Sequence, residues 1–254
     1  MITGKIEGKV ALVTGGGSGL GQATALAFAK HGAKVVVADI NVEGGNETIR
    51  LIKEAGGDAI FVKCDVSKAI EVETMVNKAV ETYGRLDYAF NNAGIAGPFS
   101  PLADYPEEMW NHVLNINLTG VWLCMKYEIC QMLKQGNGSI VNTSSVAGLV
   151  GGPRASAYAA AKHGVIGLTK TAAIEYAKAG IRVNAVCPGA IRTPLLESVF
   201  AKYPEHEKLC MEVQPLSRIA EPSEVAEAVV WLCSEAASFI TGHAMPVDGG
   251  WTAH

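Results

Sequence analysis

The chain has 254 residues, 49% hydrophobic and 18% charged, with a net charge of −4 and a pI near 5.9. Such a length can bury a substantial core in one large α/β domain, and its mild acidity gives no general attraction to nucleic acid or anionic lipid. The cysteines form no Cys-x-x-Cys and the histidines no ligand-spaced pair, while no apolar run reaches membrane-spanning length and the N-terminus does not read as a signal peptide. A soluble, cytoplasmic protein with reduced thiols and no metal is expected.

In chain order, β-branched and continuous apolar runs predict strands over 9–14, 34–39, 59–64, 86–91, 138–143, 182–187 and 244–247. Helical patterns fill the intervals over 20–31, 42–55, 69–83, 107–133, 155–179 and 222–234. Continuous apolar runs suit strands covered on both faces, and strand–helix alternation implies right-handed crossovers. The expected fold is therefore α/β. It is a single Rossmann-type doubly wound domain over 1–254, with a mostly parallel seven-stranded sheet and helices on both faces. Within the 107–133 helix, residues 113–133 are apolar around most of the circumference, which predicts burial on several sides and pairing with a second copy. Residues 188–215 have no clear periodicity and are punctuated by Pro194, Pro204 and Pro215. A substrate lid over about 189–215, ordered by ligand, is expected there.

The first predicted strand runs into Thr14-Gly15-Gly16-Gly17-Ser18-Gly19-Leu20-Gly21 and then a helix. Glycines let the backbone approach a pyrophosphate, and a helix N-terminus offers free amides and a positive dipole end. Asp39 closes the second strand, where a carboxylate can accept hydrogen bonds from both adenosine ribose hydroxyls and would repel a 2′-phosphate. Neither Ser18 nor Ile40-Asn41 supplies a cation for such a phosphate, so NAD is favoured over NADP. Asp65, after the third strand and beside Val66, either reaches the adenine or caps the next helix, with Ser67 an equal candidate for the cap.

Tyr158-Ala-Ala-Ala-Lys162 places a phenol and an ammonium four residues apart on one helical face. A fixed cation beside a phenol of ordinary pKa about 10 favours the phenolate and makes it a usable proton-transfer group. Together with Thr14–Gly21, Asn91-Asn92-Ala93-Gly94, Asn117, Ser145 and Pro188-Gly189, in this order and spacing, it makes the chain resemble the short-chain dehydrogenases/reductases over essentially its whole length.

The resemblance implies roles. Tyr158 is the general acid/base, Lys162 lowers its pKa and holds the nicotinamide ribose, Ser145 fixes the substrate oxygen, and Asn117 orients a water beside Lys162. Ser144 is expected to be structural. On the cofactor side the resemblance places Gly15, Ser18, Gly19, Leu20, Gly21, Asp39, Ile40, Asp65, Val66, Asn91, Ala93, Gly94, Tyr158, Lys162, Pro188, Gly189, Ile191 and Thr193. Thr193 could equally cap the following helix. Ser145, Leu149, Tyr158, Leu195, Leu196, Val199 and Phe200 are the expected substrate pocket, although the apolar lid residues could simply pack on the body. Arg154 meets either an anionic substrate group or solvent. The implied function is NAD(H)-dependent interconversion of a secondary alcohol and a ketone by a homotetramer acting on a small molecule. Alternatives are a 3-oxoacyl-carrier-protein reductase, disfavoured by Asp39 and by only scattered cations (Lys126, Lys134, Lys178, Arg182), a sugar 1-dehydrogenase, and an NAD-binding sensor or scaffold without turnover.

Overall fold

In the computed structural model, which describes residues 6–253, the strands are β1 (Val10–Thr14), β2 (Lys34–Asp39), β3 (Ala59–Lys63), β4 (Tyr88–Asn91), β5 (Gly138–Thr143), β6 (Ile181–Pro188) and β7 (Ala244–Val247). They form one sheet in the order β3-β2-β1-β4-β5-β6-β7, with every neighbouring pair parallel. β1 shows why the runs are continuously apolar. Val10 and Leu12 face one core cluster, Ala11 and Val13 the other, and all four are fully buried.

The helices are α1 (Gly19–Lys30), α2 (Val42–Glu54), α3 (Ala69–Tyr83), α4 (Glu107–Leu114), α5 (Gly120–Gln135), α6 (Ser156–Tyr176), α7 (Pro194–Lys202), α8 (Glu205–Val213) and α9 (Pro222–Cys233). Side chains of α1, α2 and α9 fill the core on one face; those of α3, α5 and α6 fill it on the other. Strand order reverses between β1 and β4, which opens a crevice at the carboxyl ends of the strands. None of the described helices is long and apolar enough to cross a membrane.

Two expectations change. The helix over 107–133 is broken by a π-helical turn at Asn115–Thr119, a local widening of the kind found at functional sites. It carries the fully buried Asn117 against the segment after β4, where its amide accepts from Ile95 N at 2.8 Å and donates to Ile95 O at 2.7 Å. Most of the apolar circumference of α5 is then covered within one subunit, since Val121, Leu123, Met125, Ile129 and Met132 are buried and Trp122 and Leu133 are exposed.

The stretch over 188–215 is also more regular than its sequence suggested. It holds α7 and α8, which meet at Tyr203-Pro204. Thr193 caps α7 by accepting from Leu196 N at 3.3 Å, and Pro194 takes the first turn, where its missing N–H costs nothing. Gln214 ties the base of this segment, accepting from Ala190 N at 2.7 Å and donating to Arg218 O at 2.6 Å.

Candidate active site

The turn after β1 is built for a close approach by an anion. Gly15 and Gly19 have positive φ, and a Cβ on Gly21 would collide with the carbonyl oxygen of Gly15. Leu20 is buried beneath, anchoring the first turn of α1 in the core. Ser18 is exposed, and α1 begins with no side-chain cap and no acidic residue in its first turn, so its amides are free. Thr14 sets the turn against the loop after β4, accepting from Asn92 N at 3.0 Å and Ala93 N at 3.2 Å.

The Asp39 carboxylate lies across this turn. One oxygen accepts from Gly17 N at 2.8 Å and the other from Asn41 N at 2.8 Å. Ile40 beside it is 66% exposed, an apolar surface at the edge of the crevice. These features fit a dinucleotide: bare amides for the pyrophosphate, a fixed carboxylate for the adenosine ribose and an exposed aliphatic side chain for the base.

Other sequence-predicted cofactor residues are engaged elsewhere. Asp65 organises its own turn, accepting from Ser67 N at 3.0 Å and Ser67 Oγ at 2.7 Å, and neither residue is the cap of α3, which is Lys68. Val66 is buried against Gly120 of α5. Asn91 points its side chain into the core, to Glu128 and Asn142, because its strand position faces α5. It is Asn92 that reaches the nucleotide turn, donating to Thr14 O at 3.1 Å and Gly15 O at 3.3 Å. A Cβ on Gly94 would lie 3.0 Å from Asn117 Oδ1, so that glycine allows Asn117 its close approach.

Ser145, Tyr158 and Lys162 come together where β5 ends and α6 begins. Ser145 Oγ accepts from Ala147 N at 3.1 Å, which uses a lone pair and leaves the hydroxyl proton to donate. Ser144 turns inward and donates to Lys162 O at 2.9 Å. Lys162 is buried, its Nζ lies 5.5 Å from the Tyr158 ring centroid, and it donates to Thr143 O at 2.7 Å. Burial lowers the Lys162 ammonium to about 8. The same cause pushes the Tyr158 phenol above its ordinary value, and the Ser145 hydroxyl beside it opposes the rise.

Desolvation thus favours the neutral form of Tyr158. Asn117 sets its amide against the Ile95 backbone, accepting from its N–H and donating to its carbonyl, which orders that loop. No cluster of three or more metal-ligating residues occurs among the described residues.

A family model described as enoyl-(acyl carrier protein) reductase matches residues 15–252. The 2,5-dichloro-2,5-cyclohexadiene-1,4-diol dehydrogenase of Sphingobium indicum is 46% identical over 249 residues, 98% of each chain. The protein belongs to the short-chain dehydrogenase/reductase family. This short-chain dehydrogenase/reductase is also 44% identical to the cyclohexanol dehydrogenase of an Acinetobacter species, over 100% of this chain and 98% of the other. A crystal structure of an actinorhodin polyketide ketoreductase variant with NADPH superposes with a TM-score of 0.93 at 39% identity, covering 97% of this chain and 98% of that one.

In this short-chain dehydrogenase/reductase the segment after β6 runs up to the nucleotide turn. Gly189 has no room for a side chain, since a Cβ would collide with Gln214 and lie 2.9 Å from Asp248 Cα. Ile191 is buried and bridges to Ala220, while Thr193, besides capping α7, lies 3.2 Å from where a Gly19 Cβ would be. The segment over 189–215 thus starts against the nucleotide turn.

Phe200 does not present itself to a pocket; it is buried with Ala190 and Ile219 in a small core that also receives Leu196. Val199 and Leu149 are half-buried and Leu195 is 44% exposed. The far end of the lid packs on the loop after β4, where Phe99 meets Tyr203 at 5.7 Å and His206 at 5.4 Å between ring centroids. Sequence reading missed this aromatic contact and Gln214. Arg154 is exposed with φ 64°, and its guanidinium reaches Phe99 O at 3.4 Å.

Proposed function

We propose that the protein is an NAD(H)-dependent oxidoreductase that interconverts a cyclic secondary alcohol and its ketone. The observation that carries this reading is the convergence of Ser145, Tyr158 and Lys162 beside a nucleotide turn whose acidic neighbour, Asp39, is fixed by two backbone amides. The dinucleotide supplies the nicotinamide that exchanges hydride with the substrate carbon. Ser145 donates its free proton to the substrate oxygen and fixes its position. Tyr158, neutral as folded, is set to protonate a ketone oxygen and, in reverse, takes the alcohol proton as phenolate. Lys162, with a pKa of about 8, sits close enough to neutrality to pass that proton on and holds the ribose beside it.

Relatives acting on cyclohexanol and on a chlorinated cyclohexadienediol support a ring-shaped substrate. The Asp39 carboxylate supports NAD over NADP, against the NADPH of the similar ketoreductase. The acyl-carrier reading loses a docking cation, because Arg182 spends its guanidinium on the carbonyls of Leu232, Cys233, Ser234 and Ile240. The chain acts as one unit over 1–254, with the lid over 189–215. Exposed Trp122, Leu133 and Ile174 support assembly into a homotetramer, which is expected to work in the cytoplasm.

The test is a panel of cyclohexanols, cyclic diols, acyclic alcohols and sugars, with NAD and NADP in parallel. Formation of NADH with cyclic alcohols is expected. Dinucleotide binding with no turnover of any panel member would instead point to a sensor.

A further inference from the structure

A buried polar chain lies beneath the site and takes no part in the chemistry above. Asn91 at the end of β4 donates both amide hydrogens, to Glu128 Oε2 at 2.9 Å and to Asn142 Oδ1 at 3.0 Å. Asn142 in turn donates both of its own, to Thr169 Oγ1 at 3.0 Å and Met125 Sδ at 3.3 Å. Asn91, Glu128, Asn142 and Thr169 are at most 1% exposed. With every amide hydrogen assigned, two atoms of the chain have no partner: Asn91 Oδ1 and Glu128 Oε1.

These two atoms belong to the two groups already joined by the Asn91–Glu128 hydrogen bond. If Glu128 is ionised, both are acceptors and neither can satisfy the other. The anion would also be buried on one neutral hydrogen bond, without a cation among the described residues. The titratable group interacting with it is the Cys124 thiol one turn earlier on the same helix, which burial pushes well above its ordinary value and which carries no positive charge. A proton on Oε1 removes the conflict by making that oxygen a donor to Asn91 Oδ1, which closes an eight-membered acid–amide ring. Burial pushes the Glu128 carboxyl up to about 8, in the same direction.

The ring sits one residue below two parts of the site. Asn91 precedes Asn92, which holds Thr14 and Gly15; Asn142 precedes Thr143, whose carbonyl seats Lys162. We propose that Glu128 is a positioning residue that works as a neutral carboxylic acid, locking the ends of β4 and β5 through Asn91, and that its ionisation in alkaline solution loosens the nucleotide turn and the lysine seat together. Only the second half rests on the dehydrogenase reading.

The test compares the full-length protein with Glu128→Gln, whose amide can donate to Asn91 Oδ1 and accept from Nδ2 and so rebuilds the ring without titrating. A carboxyl that holds its proton to about pH 8 when folded but ordinarily loses it near 4.5 favours folding less as pH rises through that window. The folding equilibrium constant of the parent should fall relative to the Gln variant by up to about tenfold per pH unit there. Infrared spectra at neutral pH should show a protonated-carboxyl band that the variant lacks. The affinity of the parent for NADH should weaken as pH passes about 8, with the Gln variant rescuing it and Glu128→Leu weaker at every pH.

Parallel unfolding profiles or absence of the band would make Glu128 an anion and overturn the proposal. Matching NADH profiles with the other two results intact would overturn the positioning role. A chain that binds no dinucleotide at any pH contradicts the proposed function, while the spectra and unfolding profiles still decide the protonation of Glu128.

Discussion

Replacing Lys162 with Met should stabilise the protein while disabling it. The ammonium is buried, and holding its pKa at about 8 instead of 10.5 corresponds to a cost of roughly 3 kcal/mol for keeping it charged at neutral pH. Against this stands its charge-assisted bond to Thr143 O at 2.7 Å, of about 1.5–3 kcal/mol by general experience. Methionine matches the length of the stem and carries no charge, so a net gain of about 1 kcal/mol is expected, or about 2–4 °C in Tm for a chain of this size. The pH dependence is the sharper readout. Below about pH 8 the lysine is charged in both states and the parent bears the whole cost. Between about 8 and 10.5 the folded lysine sheds its proton while the unfolded one keeps it, so the parent gains stability with rising pH and the variant's advantage shrinks. Scanning calorimetry across this range measures the difference directly. A Met variant less stable than the parent at pH 7, by a margin that does not change with pH, would refute the reasoning.

Tyr158→Phe should keep dinucleotide affinity and lower turnover by roughly 10²–10⁴-fold, measured by NADH fluorescence titration beside steady-state rates; near-parent rates would remove Tyr158 from proton transfer. The parent should bind NADH at least about tenfold more tightly than NADPH, and Asp39→Ser should narrow that gap by weakening NADH; equal affinities in the parent would contradict the reading of Asp39. Phe200→Ala should cost the lid about 3 kcal/mol or more of local stability, seen as faster hydrogen exchange over residues 193–211 with little change in the sheet. Adding NADH and a substrate analogue should slow exchange in that segment of the parent, and equal protection with and without them would exclude a ligand-ordered lid.

The strands and most helices were legible because their signals are local. A run such as Val35-Val36-Val37-Ala38 has few alternatives to a strand covered on both faces. The π-helical turn was not legible, since the helical signal of 107–133 continues through it and the partner of its buried Asn117, the Ile95 backbone, is distant in sequence. The lid helices could have been found: Thr193-Pro194 is a cap followed by a first-turn proline, and Pro204 marks the next start. At the site, Ser145, Tyr158 and Lys162, which motif spacing singled out, stand together, but spacing did not reveal the burial that shifts the phenol up and the ammonium down. The direction of the Asn91 side chain was not legible either, because adjacent residues of a strand face opposite ways and the motif does not say which asparagine turns inward. Glu128 in the middle of an apolar helix was a visible signal that no motif absorbed.

The Gln214 clamp bears on how such a protein can acquire a new substrate. Its single amide joins Ala190 to Arg218, and beside it the Ile191–Ala220 bridge ties the same two chain segments. The excursion between has a small core of its own, with Phe200, Leu196 and Met211 packed over its base, and touches the body through Thr193 at one end and Tyr203 and His206 at the other. A loop whose ends are already stapled carries only a weak entropic dependence on its length. The residues beyond Thr193 can therefore be lengthened or shortened at little entropic cost while the sheet and the nucleotide turn stay in place. Variation can thereby collect in one contiguous stretch of the chain, apart from the end of β5 and the start of α6 where Ser145, Tyr158 and Lys162 stand.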